Sequence, residues 1–297
     1  MKNYMIKFIR VDYKKYFFWL CFIALFFFFI FLRMPYFSTP LNHDEVDTAY
    51  NVFQVMNGRG FYSTDWNNKP PLIHLLYTID ALIFGELNVF SVRMFGILYG
   101  MMTLAAFYAL AKILLKSRWF ALFGAFLFAV LFSSPAFQGE YNNTENFFVL
   151  FIILGCYLCL KDARLLKWSY VCIGLSFLLK PTTILSLLPI IGYEIWYVRT
   201  RNKRKNIFRE VGKHILLFCL PIAIVVSYFT ITGVLPDFID WVFVKNLIHV
   251  QAGQSLSFTE GVLFKNFQNI WENTFVFWIV GCIGFLSLFV RRLPAHW

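Results

Sequence analysis

Residues 17–32 read FFWLCFIALFFFFIFL, and eight residues later the chain reads LNHDEVDTAY (41–50). With its apolar neighbours, the first stretch approaches the roughly 20 residues that a helix needs to cross about 30 Å of hydrocarbon. Working outward, 59% of the 297 residues are apolar and 14% are charged. A soluble domain carries roughly 25% charged residues. Counting 16–32, apolar runs near 89–115, 119–135, 146–160, 168–180, 182–198, 214–232 and 273–290 give about eight expected transmembrane helices. The fold class is therefore all-α: a polytopic membrane protein with one membrane-embedded domain over 1–297. The first run has a basic flank (Lys2, Lys7, Arg10, Lys14, Lys15) and no small-x-small cleavage site, so it is expected to remain as a span.

Threading these spans alternately places 20 of the 27 Lys and Arg residues on one side, with the amino terminus. Twelve of the 16 acidic residues fall on the other side, in connections near 33–88, 136–145 and 233–272. The positive-inside rule makes the basic side cytoplasmic. The net charge of +11 is then topology and contact with anionic lipid, and no nucleic-acid partner is expected. The six cysteines lie in apolar runs, and the Cys156-x-x-Cys159 pair reads as helix packing rather than metal or redox chemistry.

The stretch 44–57 has helical periodicity. Val46, Ala49, Tyr50, Phe53 and Met56 align on one face, opposite Asp44, Asp47, Asn51 and Gln54, and Asn57-Gly58 supplies a stop. The expectation is an amphipathic juxtamembrane helix on the outer surface. Glu45 lies at the edge of the apolar stripe, the position more suited to a structural use. Pro70 and Pro71 suit the opening of a further helix, with Lys69 just before it. An ammonium there either snorkels to water or meets an anionic phosphate.

The other polar intrusions fall on the same expected side. Glu145 stands at the entrance of a span in NNTENFFVLF (142–151), and Lys180 lies between two spans in GLSFLLKPTTILSL (174–187). Arg93 is near the end of another span, and Asn246 and His249 lie in the last outer connection. Asn142-Asn143-Thr144 also matches a glycan acceptor. Acids and cations gathered on one membrane face suit a substrate with a phosphate head and a hydrocarbon tail.

HDE (43–45), NNKPPL (67–72), GELNVFSVRMFGILYG (85–100), NNTENFFVLF and GLSFLLKP (174–181) follow one another in an order that resembles a known family. These are the C-type, polyprenyl-phosphate-dependent glycosyltransferases, which include protein O-mannosyltransferases and the lipid A aminoarabinose transferase. The resemblance spans roughly residues 10–200 and leaves the last outer loop and final span, 233–290, outside it. Relatives commonly run well beyond 297 residues, so a short or truncated member is expected. The resemblance implies a polyprenyl-phosphate sugar donor, an acceptor of unspecified kind (protein, lipid or glycan), and a bacterial plasma membrane. It puts the catalytic aspartate on Asp44, with Glu45 as its neighbour, and the second acid on Glu145. It also makes Lys69 the carrier-phosphate lysine, joined by Arg93 and Lys180.

The expected chemistry is inverting glycosyl transfer at the extracytoplasmic face, with Asp44 as base and Lys69, Arg93 and Lys180 around the leaving phosphate. Asn246 and His249 are acceptor or loop candidates. The sequence assigns no cofactor; a divalent cation, Mg or Mn, held by Asp44 and Glu145 is the one the pattern admits. The alternatives are a flippase for lipid-linked sugars and an inactive relative. A transporter would place polar groups near the midplane and show repeats, which this sequence does not.

Overall fold

The computed structural model describes residues 13–62, 68–201 and 206–248, together with scattered positions between 261 and 282. His249 and most of the last expected span lie outside the described residues. Among the described residues all the regular structure is helical. The elements used below are α1 (Tyr13–Arg33), α2 (His43–Met56), α3 (Pro71–Phe84), α4 (Val89–Leu115) and α5 (Arg118–Phe132). They continue as α6 (Thr144–Lys161), α7 (Leu166–Phe177), α8 (Leu187–Arg201), α9 (Ile207–Ile231) and α10 (Leu235–Ile239).

Among the described residues four segments are long and apolar enough to cross a membrane: Tyr13–Ser38, Val89–Leu115, Thr144–Lys161 and Ile207–Ile231. The expected spans at 119–135 and 168–180 correspond to shorter helices, α5 and α7. The run expected at 182–198 is split into a 3₁₀ turn, Pro181–Ser186, and α8, at the point where Pro189 has no N–H to offer the Leu185 carbonyl. α3 is a 14-residue apolar helix inside what reads in the sequence as an outer connection.

The phenylalanine run has two faces. Phe18, Leu25 and Phe29 of α1 are buried against Leu104, Leu122, Ala125 and Ala129 of α4 and α5, while Phe17, Leu20, Phe27 and Phe31 are exposed. A long helix with apolar residues all round belongs in lipid. The inner face is an aromatic seam that includes Phe107 stacked on Phe128 at 4.3 Å between centroids. At its end, the buried Arg33 guanidinium donates to the Phe132 carbonyl at 2.8 Å and lies over the Phe29 and Phe132 rings. It thereby satisfies a carbonyl that the end of α5 leaves without a helical partner.

α4 packs on α5 and α6, α6 on α7, and α7 on α9. A second core sits beneath α2: Ala49 and Val52 meet Ile73 and Tyr77 of α3, Val92, Phe95 and Tyr99 of α4, Phe147 and Leu150 of α6, and Leu179. α2 packs on α3 and leaves Val46, Tyr50, Phe53 and Met56 exposed. An exposed apolar stripe of this kind is what an interfacial helix requires. The expected polar face is only partly so, because Asn51 is buried and returns its amide to the Asp47 carbonyl. Gly58, at φ +85°, adopts the left-handed conformation just beyond the end of the helix.

Candidate active site

The site is assembled from the first turns of helices. Asn42 caps α2: its side chain accepts from the Glu45 N–H at 2.8 Å, while the Glu45 carboxylate accepts from the Asn42 N–H at 2.9 Å. This reciprocal capping box fixes where the helix starts, and so where Asp44 points. Asn143 holds the N-cap position of α6 without capping it by its side chain; its side-chain oxygen instead accepts from the Asn42 amide at 3.2 Å. The two helix starts are therefore tied together, with Asp44 in the first turn of one and Glu145 in the first turn of the other.

Each of these acids has a lysine partner, and each lysine precedes a proline. Lys69 Nζ lies 3.0 Å from Asp44 Oδ1 and donates to the Asp44 carbonyl at 2.8 Å. Lys180 Nζ donates to Glu145 Oε1, and the Thr144 hydroxyl donates to Glu145 Oε2 at 3.0 Å. The two lysine segments adjoin, since the Leu72 N–H donates to the Leu178 carbonyl at 3.2 Å. Leu72 is three residues after Lys69, and Leu178 is two before Lys180. Asp44 is 58% exposed, Glu145 44% and Lys180 40%, so these polar groups remain reachable from outside the protein.

Glu45 and Arg93 do something different. Arg93 of α4 is buried and makes a two-pronged pair with the Glu45 carboxylate, which also accepts from the Asn142 N–H at 2.6 Å. The remaining Arg93 donors reach the carbonyls of Tyr36 at 3.2 Å, Pro40 at 3.2 Å and Thr39 at 3.4 Å. The guanidinium expected at the donor phosphate is thus turned inward, clasping α2, the 34–40 segment and the 138–143 loop to α4. Glu45, expected beside Asp44 as a catalytic neighbour, is the anion at the centre of that clasp. Gly96 leaves room for it: a Cβ there would come 2.0 Å from the Asn142 side-chain oxygen. Asn142 is itself buried, with its amide donating to the Val92 carbonyl, which removes it as a glycan acceptor.

Sequence reasoning missed one contributor and gave a second a different place. The Tyr62 hydroxyl donates to the Lys69 carbonyl at 2.8 Å, and burial pushes the Tyr62 phenol well above its ordinary pKa. Asn246, expected as an acceptor or loop residue, donates to the Asn68 carbonyl at 2.8 Å, next to Lys69. The signal for the α2 cap was legible as Asn42-x-x-Glu45; nothing in GRGFYSTD (58–65) marks Tyr62. A divalent cation finds no ready donor set here. Lysine ammoniums occupy both Asp44 and Glu145, and among the described residues no group of three or more His, Cys, Asp or Glu side chains is placed to hold one.

A family model described as dolichyl-phosphate-mannose-protein mannosyltransferase matches residues 68–229. The matched stretch contains Lys69, Arg93, Glu145 and Lys180, and the Lys69 ion pair joins it to Asp44. No curated protein and no solved structure matches the chain. With more than half of its residues under that family model and, among the described residues, four helices fit to span a bilayer, the chain is an integral membrane protein of the dolichyl-phosphate-mannose-protein mannosyltransferase family, whose description points to glycosyl transfer from a lipid-linked sugar.

Proposed function

We propose that this protein transfers a glycosyl group from a polyprenyl-phosphate-linked sugar to an acceptor at the extracytoplasmic membrane face, with inversion at the anomeric carbon. The observation that carries the reading is the pair of carboxylate–lysine contacts, Asp44–Lys69 and Glu145–Lys180, at adjoining helix starts. The clustering of basic residues in the remaining connections supports the extracytoplasmic placement.

The chemistry needs an acceptor oxygen or nitrogen to lose its proton, a held anomeric carbon, and positive charge at the departing phosphate. Asp44 takes the proton. The acceptor lone pair forms the new bond to the anomeric carbon, and the carbon–oxygen bond to phosphate breaks with its electrons passing to the phosphate oxygen. Lys69 and Lys180 meet the charge on the released polyprenyl phosphate. Glu45 and Arg93 hold the frame and touch no reacting atom. Glu145 orients Lys180 and the acceptor.

Without donor, both lysines are neutralised by carboxylates. An arriving phosphate competes for the same ammoniums and, in taking them, frees Asp44 to act as base. Donor binding therefore precedes productive acceptor deprotonation, which limits wasteful reaction with water.

The test is incubation of the purified protein in lipid nanodiscs with polyprenyl-phosphate sugars labelled in the sugar. Release of free polyprenyl phosphate with transfer of label to an acceptor is the expected result. Donor binding, or movement of intact donor between leaflets, with no cleavage would contradict the reading.

A further inference from the structure

We propose that Tyr62 and Asn246 are positioning residues for Lys69, fixing the backbone from which its ammonium reaches the leaving phosphate; this rests on the assignment of Lys69 to that phosphate. The two side chains hold successive carbonyls, Asn246 that of Asn68 and Tyr62 that of Lys69, each at 2.8 Å. The segment needs such support. Pro70 and Pro71 provide no N–H, Pro70 is extended (φ −62°, ψ 158°), and the Leu72 N–H is directed to Leu178 rather than back to Asn68. A side chain on an unsupported peptide would swing with it, and a charge moved by 1 Å no longer meets a transition state built around its position.

Tyr62 is held more tightly than packing alone requires. Its φ of +62° lies in the left-handed region, which a non-glycine residue rarely adopts. Such conformations persist where the surroundings over-determine them, and they gather at working sites. The ring is 3% exposed and lies edge-on to His74, Phe229 and Phe238, at 6.0, 5.7 and 5.5 Å between centroids. Phenylalanine would fill that space equally well. The hydroxyl adds one thing, the hydrogen bond to Lys69.

Both pins rest on one cluster. Tyr62, Phe229, Phe238 and Val242 pack together, and Asn246 follows Val242 by one turn, donating also to its carbonyl at 2.9 Å. The segment after α9 therefore also sets the position of the phosphate lysine. A displacement of α10 relative to α3 would loosen both hydrogen bonds together.

The experiment measures binding of polyprenyl monophosphate to the full chain in nanodiscs. The proteins are wild type, Lys69→Ala, Tyr62→Phe, Asn246→Ala, and the double variant Tyr62→Phe with Lys69→Ala; unfolding temperatures are recorded in parallel. Tyr62→Phe and Asn246→Ala are each expected to weaken binding about fivefold when Lys69 is present. Tyr62→Phe is expected to add nothing once Lys69 is alanine. Wild-type affinity in Tyr62→Phe, or the same fold loss in both backgrounds, would overturn the positioning role while leaving the phosphate assignment intact. Unchanged binding by Lys69→Ala would overturn the assignment itself, and the proposal with it.

Discussion

The Glu45 carboxylate and the Arg93 guanidinium face each other where neither side chain is more than 4% exposed. Removing one partner of such a pair strands the other charge in a dry setting and costs about 3–5 kcal/mol. Glu45→Ala and Arg93→Ala are therefore expected to lower the unfolding temperature of the detergent-solubilised protein sharply. Asp44→Asn, altering an exposed side chain one residue away, should leave it nearly unchanged. Equal unfolding temperatures across all three variants would contradict the clasp.

Lys180 is the second ammonium assigned to the donor. Lys180→Ala is expected to raise the donor KM about tenfold, the scale of one charge-assisted hydrogen bond. Lys180→Arg keeps the charge and should recover part of the loss. Steady-state transfer at varied donor concentration checks this, and a change in kcat with an unchanged donor KM would move Lys180 to another role.

A separate polar cluster lies away from the proposed site. Glu194 of α8 is buried; its carboxylate accepts from the Tyr170 hydroxyl at 2.5 Å and pairs with His214 Nδ1 at 2.7 Å. It joins α7, α8 and α9. Tyr170→Phe leaves one carboxylate oxygen without that donor and is expected to cost about 1–3 kcal/mol of stability. The folded fraction should transfer sugar at the wild-type kcat. A lower kcat in fully folded protein would show that the cluster bears on the chemistry.

Because among the described residues no third His, Cys, Asp or Glu side chain joins Asp44 and Glu145 to hold a cation, treatment with a divalent-cation chelator is expected to leave the transfer rate unchanged. Loss of activity on chelation, restored by Mg or Mn, would return both carboxylates to metal ligation.

The sequence carried much of this arrangement, for local reasons. The 17–32 run, the α2 periodicity and the Pro70-Pro71 start are written in neighbouring residues, and α1, α2 and α3 begin and end close to where those signals fall. The lysines at 69 and 180 stood out because each is a charge flanked by proline and apolar residues. What stayed hidden depends on contacts across long stretches of chain. Arg93 looks like another free cation until Glu45, 48 residues earlier, is placed against it. Asn246 looks like a loop residue until the Asn68 carbonyl, 178 residues away, meets its amide. The division of the 182–198 run was hidden for another reason: apolar composition is the same in a 3₁₀ turn as in an α-helix. Glu194 and His214 sit inside apolar runs whose average hides single polar residues.

The central claim is that Asp44 accepts the acceptor's proton. The direct measurement is the rate at which polyprenyl phosphate is released from a polyprenyl-phosphate sugar by Asp44→Asn protein, alongside its affinity for polyprenyl monophosphate. A general base contributes about 10²–10⁴-fold. The account predicts at least a hundredfold slower release with protein that is folded and still binds the lipid phosphate. Release at the wild-type rate would contradict it.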